Sequence, residues 1–231
     1  DNKFCSENVK RGISERLKIN NQILKIVKKN KIKKYFYISS IHVYKNQILI
    51  NEKSPLNYKN AYGYSHLLSE KFILEKFKNI CEIKILRLSN CFGYCENLNS
   101  SSWDLVINDI VKNIFIKNKI LIKSATNFKK DFIPISYFLF IIESLIKKSL
   151  QDKIINITSE NSQYISEISK NIRDLFKKIY KKEIKIVNNF KKKERNITIK
   201  SKMMNKKNFE KLKKYYVKDL KELMTFSKKN I

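Results

Sequence analysis

The chain has 231 residues, enough for one large domain or two closely packed ones, and its 42% hydrophobic content excludes wholesale disorder. Lysine and arginine total 50 against 21 acids, a formal net charge of +29. Lysine greatly outnumbers arginine, is spread over most of the chain and is accompanied by abundant asparagine and isoleucine. The charge therefore reads as compositional drift rather than as a nucleic-acid footprint, with weak, sequence-indifferent polyanion binding as its consequence.

Taken in chain order, residues 13–30 carry apolar side chains at mostly helical spacing and predict a helix. Residues 34–40, K-Y-F-Y-I-S-S, form the short apolar and aromatic run of a buried parallel strand. Residues 51–60 hold Pro55 and read as loop, 61–79 as a second helix and 82–88, E-I-K-I-L-R-L, as a second buried strand. That alternation predicts an α/β fold, a doubly wound parallel sheet with crossover helices. On such sheets ligands sit at the carboxyl ends of the strands, where Ser39, Ser40, Ser89 and Asn90 fall.

Beyond Gly93 the texture changes. Residues 100–102 predict a polar loop and 103–117 an amphipathic helix. Residues 119–123 and 131–135 predict strands around a basic turn, followed by a helix over 136–149 and a strand over 153–158. A helix over 164–180, a short strand over 183–188 and a lysine-rich, half-helical tail over 190–231 complete the chain. The predicted division places the sheet domain in 1–95 and a smaller mixed α/β domain mainly in 96–231. The strands near 131–135 and 153–158 are candidates to return to the main sheet.

Four cysteines occur, Cys5, Cys81, Cys91 and Cys95, without a C-x-x-C pair and with neither histidine at ligand spacing from them. They read as reduced thiols of a cytoplasmic protein rather than as a zinc site. No apolar run reaches the length of about eighteen residues that a membrane-spanning helix needs. The chain starts at Asp1 without a signal peptide and reads as a fragment or a trimmed chain.

Two clusters carry chemistry. Ser39-Ser40-Ile41-His42-Val43-Tyr44 follows a buried strand, so a serine hydroxyl either reaches a ligand crevice or caps the strand's turn. Tyr62 and His66 stand four apart at a helix start and share one face. They are either a proton-transfer pair or a surface aromatic–histidine pair. An unperturbed tyrosine titrates near 10, so such a pair works best where a cation lowers the phenol's pKa.

Together with their spacing, F-Y-I-S-S-I-H-V-Y, E-x-x-P, A-Y-G-Y-S-H-L-L-S-E-K and I-L-R-L-S-N-C-F-G resemble the NAD-dependent epimerase/dehydratase family, extended short-chain dehydrogenases/reductases acting on nucleotide sugars. Further matches are W-D-L-V-I-N-D at 103–109 and K-D-F-I-P-I at 130–135, similar to a bacterial subgroup associated with surface-polysaccharide synthesis. The resemblance runs from about residue 13 to about residue 188. It implies a Rossmann-like fold, NAD or NADP as cofactor and a nucleotide-sugar substrate. It also implies a homodimer through a helix bundle that includes the helix from Ala61.

By position, Ser40 matches the family's catalytic Ser/Thr and Tyr62 its catalytic tyrosine. His66 stands where the family has a lysine that holds the nicotinamide ribose and keeps the tyrosine's pKa low. Leu88 and Ser89 would border the nicotinamide, Asn90 the substrate's phosphate or sugar, and Lys130 its diphosphate. Three departures stand against this: His66 for lysine, Tyr137 where an aspartate is usual, and the absence of G-x-x-G-x-x-G. The last implies that the first strands of the sheet would precede Asp1. An inactive family remnant that binds a sugar nucleotide or a partner is the alternative expectation.

Overall fold

A computed structural model of the chain describes residues 7–148, 150–193 and 197–231. Cys5, and Ser149 at the end of the helix expected over 136–149, lie outside the described residues. The chain divides into two compact units. The first holds Asp1–Ser89, Ile142–Ile157 and Lys200–Met203; the second holds Asn90–Ile141, Thr158–Ile199 and Met204–Ile231.

The first unit starts with helix α1 (Val9–Lys29), strand β1 (Lys34–Ser40), helix α2 (Ala61–Lys76) and strand β2 (Glu82–Leu88). The chain then passes through β3 (Asn90–Phe92), α3 (Val106–Lys117), β4 (Lys119–Ile122), β5 (Phe132–Pro134) and α4 (Ile135–Lys147). Strand β6 (Ile154–Ile157) belongs to the first unit, and α5 (Ile165–Tyr180), β7 (Lys185–Asn188) and α6 (Lys206–Asn230) to the second.

Strands β1, β2 and β6 form a parallel sheet in the order β1-β2-β6. Parallel neighbours need a crossover, and α2 supplies it between β1 and β2. Tyr37, Ile83 and Ile85 on one face bury against Val27 of α1 and Ile73 and Phe77 at the end of α2. Strand β2 is central, so its residues from Ile83 to Arg87 are all buried and its apolar run is nearly continuous. Its two buried cations are both satisfied. The Lys84 ammonium donates to the carbonyls of Leu150 and Asp152, and Arg87 pairs with Glu70.

The second unit packs α3, α5 and α6 around Trp103, Ile107, Ile172, Phe176, Leu223 and Met224. Strand β4 pairs in parallel with β7, and β3 with β5. The strand expected over 131–135 is thus Phe132–Pro134 and joins β3 in a separate two-stranded sheet, whereas the strand expected over 153–158 joins the main one. The helix expected from Trp103 starts at Val106 instead. Trp103 lies in a 3-10 turn, Ser101–Asp104, and Leu105 is extended at φ −67 and ψ 143. No helix among the described residues is long and apolar enough to cross a membrane.

Candidate active site

The site in the first unit is built from one helix stripe and one strand end. Tyr62, His66 and Glu70 recur every four residues along α2 and share a face. Along β1, Tyr37 and Ser39 are two apart and share a face of the pleat, which puts Ser40 on the other. Both Tyr37 and Ser39 meet the α2 stripe. The Tyr37 hydroxyl lies 3.1 Å from His66 Nδ1, and the Ser39 hydroxyl donates to Glu70 Oε1 at 2.5 Å. The rings of Tyr62 and His66 stand edge to face with centroids 4.7 Å apart.

Two devices bring the start of α2 onto the turn after Ser40. The Asn60 side chain caps the helix by accepting from Gly63 N at 2.9 Å. Gly63 then leaves room for the chain ahead of it. A β-carbon there would stand 2.1 Å from the carbonyl oxygen of His42, so only glycine allows this approach. The Ser40 oxygen accepts from the His42 backbone N–H at 3.2 Å, capping the 3-10 turn Ile41–Val43. That bond orients the hydroxyl and leaves its own proton available to donate. Ser40 and Tyr62 thus sit on segments locked together at His42 and Gly63.

His66 is buried at 4% exposure, so it is no surface residue. Burial, and secondarily the charge of Arg16 and the nearby His42, pushes its pKa down to about 3. The ring is neutral at pH 7. Arg16 Nη1 donates to the Tyr37 oxygen at 3.4 Å, and the direction of the Tyr37–His66 Nδ1 bond depends on the imidazole tautomer. With Tyr37 donating to Nδ1, the imidazole proton sits on Nε2, a buried atom with no partner among the described residues.

Behind this face lies a buried polar network that local spacing does not reveal. Glu70 receives a two-pronged contact from Arg87, Nε to Oε1 at 3.0 Å and Nη2 to Oε2 at 2.6 Å. Arg87 Nη1 donates to Tyr44 at 2.9 Å, and the Tyr44 hydroxyl donates to Asn156 Oδ1 at 2.6 Å. At the end of β2, Leu88 lies opposite Ser40 and Ile157, and the buried Ser89 donates its N–H to Ile157 O at 3.0 Å.

The remaining candidates are in the second unit. Asn90 Nδ2 donates to the carbonyl of Asp131 at 2.8 Å. The Asp131 carboxylate is buried and accepts from the Ser159 N–H and hydroxyl, the latter at 2.7 Å. Lys130 pairs with Gln163 in a short antiparallel ladder, and its ammonium lies 5.4 Å over the Phe128 ring. Tyr137 is fully buried, and its neighbour Ser136 donates its N–H and hydroxyl to Asp219 at 2.8 and 2.6 Å. An acid from α6 thereby satisfies one backbone N–H and one hydroxyl at the start of α4.

The profile of the NAD dependent epimerase/dehydratase family matches residues 4–158, more than half of the chain. The chain belongs to this family. Solved structures of the same fold include UDP-glucuronic acid 4-epimerase from Bacillus cereus in complex with NAD, at 18% identity and a TM-score of 0.67. That match covers 92% of this chain and 65% of the epimerase. UDP-N-acetylglucosamine 4-epimerase from Methanobrevibacter ruminantium M1 is similar at 17% identity and a TM-score of 0.70, with 92% and 68% of the two chains covered. The dTDP-glucose 4,6-dehydratase of Bacillus anthracis matches at 20% identity and a TM-score of 0.64, over 91% and 66%. A comparison with curated protein sequences finds no match. As a family member the chain spans about two thirds of these enzymes.

Proposed function

We propose that this chain is the Ser–Tyr half of an NAD- or NADP-dependent enzyme that epimerises, dehydrates or reduces a nucleotide-linked sugar, with surface-polysaccharide synthesis as its setting. The observation that carries this reading is the contact of Gly63 with His42, which docks the helix turn bearing Tyr62 on the strand end bearing Ser40. Tyr62 takes the proton of a sugar hydroxyl, and Ser40 donates a hydrogen bond that orients the reacting oxygen. A nicotinamide bordered by the backbone at Leu88 and Ser89 would supply the hydride acceptor for the sugar carbon.

Some of these residues suit a cofactor. The His66 Nε2 proton, buried and without a partner among the described residues, suits a ribose hydroxyl, and the backbone at Leu88 and Ser89 suits the nicotinamide edge. None of the three glycines, Gly12, Gly63 and Gly93, stands at a spacing that forms a phosphate loop. In the second unit we assign Asn90 and Lys130 to the substrate's phosphates. Lys130 offers charge without the bidentate fork of an arginine. Residues 1–95, Asn90 excepted, would then serve the cofactor and 96–231 mainly the substrate. Exposed Ile19 and Ile26 on α1, which packs against α2, fit a homodimer through these helices. The free thiols of Cys81, Cys91 and Cys95 fit a cytoplasmic setting.

The test is kinetic. Tyr62→Phe and Ser40→Ala are each expected to lower turnover of a nucleotide sugar by a factor of about 100 or more without changing thermal stability. Unchanged turnover in Tyr62→Phe removes the proton-transfer role. A second reading, a binding protein without activity, is favoured by the neutral His66. It gains support if the natural protein is inert and His66→Lys brings turnover.

A further inference from the structure

The neutral imidazole at position 66 leaves the proton-transfer face of α2 without its own cation. A cation reaches that face from a different element. Arg16 on α1 places its guanidinium carbon 6.0 Å from the centroid of the Tyr62 ring and its Nη1 3.4 Å from the Tyr37 hydroxyl. Its Nε is buried and has no partner among the described residues, so the group is turned inward rather than spread in solvent. Tyr37 links it onward to His66 Nδ1 at 3.1 Å. Among the described residues, Arg16 from α1, His42 from the turn after β1 and His66 from α2 itself face Tyr62, with Tyr37 of β1 behind them.

We propose that Arg16 is the cation of this site, a positioning residue that stabilises the Tyr62 phenolate through space and, through Tyr37, holds the His66 proton on Nε2. The inference rests on the proton-transfer role given to Tyr62 above. It assigns two jobs to two side chains: charge to Arg16 and hydrogen-bond donation to His66. Arginine suits the first because its guanidinium stays protonated at any working pH and tolerates partial burial. A full positive charge within about 6 Å favours the charged form of a neighbouring acid. Protonation of His66 is opposed first by its burial and second by this same charge. Each half of the arrangement therefore supports the other.

The experiment is a titration of the intact protein carrying 13Cζ-tyrosine, followed by NMR, with the Tyr62 signal assigned by its loss in Tyr62→Phe. Arg16→Met keeps the side chain's length and removes its charge. Its Tyr62 midpoint is expected to rise by about one pH unit, and Arg16→Lys to restore most of it. A midpoint that does not move in Arg16→Met overturns the proposal. So does a rise that Arg16→Lys fails to reverse, since packing rather than charge would then be responsible. Should Arg16→Met not fold, Arg16→Gln, which keeps a donor for Tyr37, gives the same reading. The titration needs no turnover. An inert protein with a shifted midpoint counts against the proposed activity alone, and an active one with an unshifted midpoint counts against Arg16 alone.

Discussion

His66 gives the site a measurable dependence on acid. Its pKa is about 3 in the folded chain against an ordinary 6.5, so the unfolded chain binds a proton that the folded one refuses between those values. Stability from this group is present above pH 6.5 and falls as pH drops toward 3, by up to about 1.4 kcal/mol per pH unit. Urea unfolding of the natural protein and of His66→Gln at pH 7.5 and pH 5 isolates it. The gap between the two proteins should change with pH, and a constant gap would show that the imidazole is not buried. Gly63 is the other decisive residue. Gly63→Ala puts a methyl group into the His42 carbonyl, an overpacking that costs about 1–3 kcal/mol and separates Tyr62 from Ser40. It is therefore expected to lower both the melting temperature and turnover. Among only three glycines in 231 residues, one inside a predicted helix is a signal for close packing that the sequence already offers.

At the scale of elements, α2 is tied to β1 and β2 by charge as well as by apolar contact. Glu70 and Arg87 are each about 3% exposed, so neither tolerates the loss of the other. Glu70→Gln or Arg87→Met alone should destabilise the protein by about 3–5 kcal/mol, while the double replacement by apolar residues recovers a large part, as chemical denaturation of the three variants would show. Equal losses in single and double variants would contradict the coupling. Strands β1 and β2 are legible to the residue in the sequence, because apolar runs closed by serine mark both their length and their carboxyl ends; β1, expected to be buried, is only partly so and leaves Ile38 exposed. Helix boundaries are less so. Val9 to Gly12 extend α1 beyond its periodic stretch, and Trp103 leaves α3 because Leu105 takes an extended backbone. The network behind the site was invisible. Glu70 and Arg87 are separated by 17 residues, Arg87 and Tyr44 by 43, and Tyr44 and Asn156 by 112. Arg16 escaped for the same reason, since no local spacing ties it to Tyr37 or Tyr62.

Across the whole molecule the net charge of +29 accompanies a site whose chemistry depends on a few buried groups. Lysine over arginine, spread along the chain, leads us to expect weak polyanion binding that is indifferent to sequence and vanishes near physiological salt. Ser40, Tyr62 and His66 enter the candidate site through the resemblance to the family, since their local spacing left a turn cap and a surface aromatic–histidine pair open. In the function proposed, these residues transfer a proton while hydride leaves a nucleotide-linked sugar. Proton NMR of the sugar's anomeric signal, with the intact protein, NAD or NADP, and a panel of UDP- and dTDP-linked hexoses, follows that step. A new anomeric signal that is lost in Tyr62→Phe is expected with at least one of these sugars. A natural protein that binds a nucleotide sugar and leaves every anomeric signal unchanged, or a Tyr62→Phe variant that turns it over equally well, would contradict it.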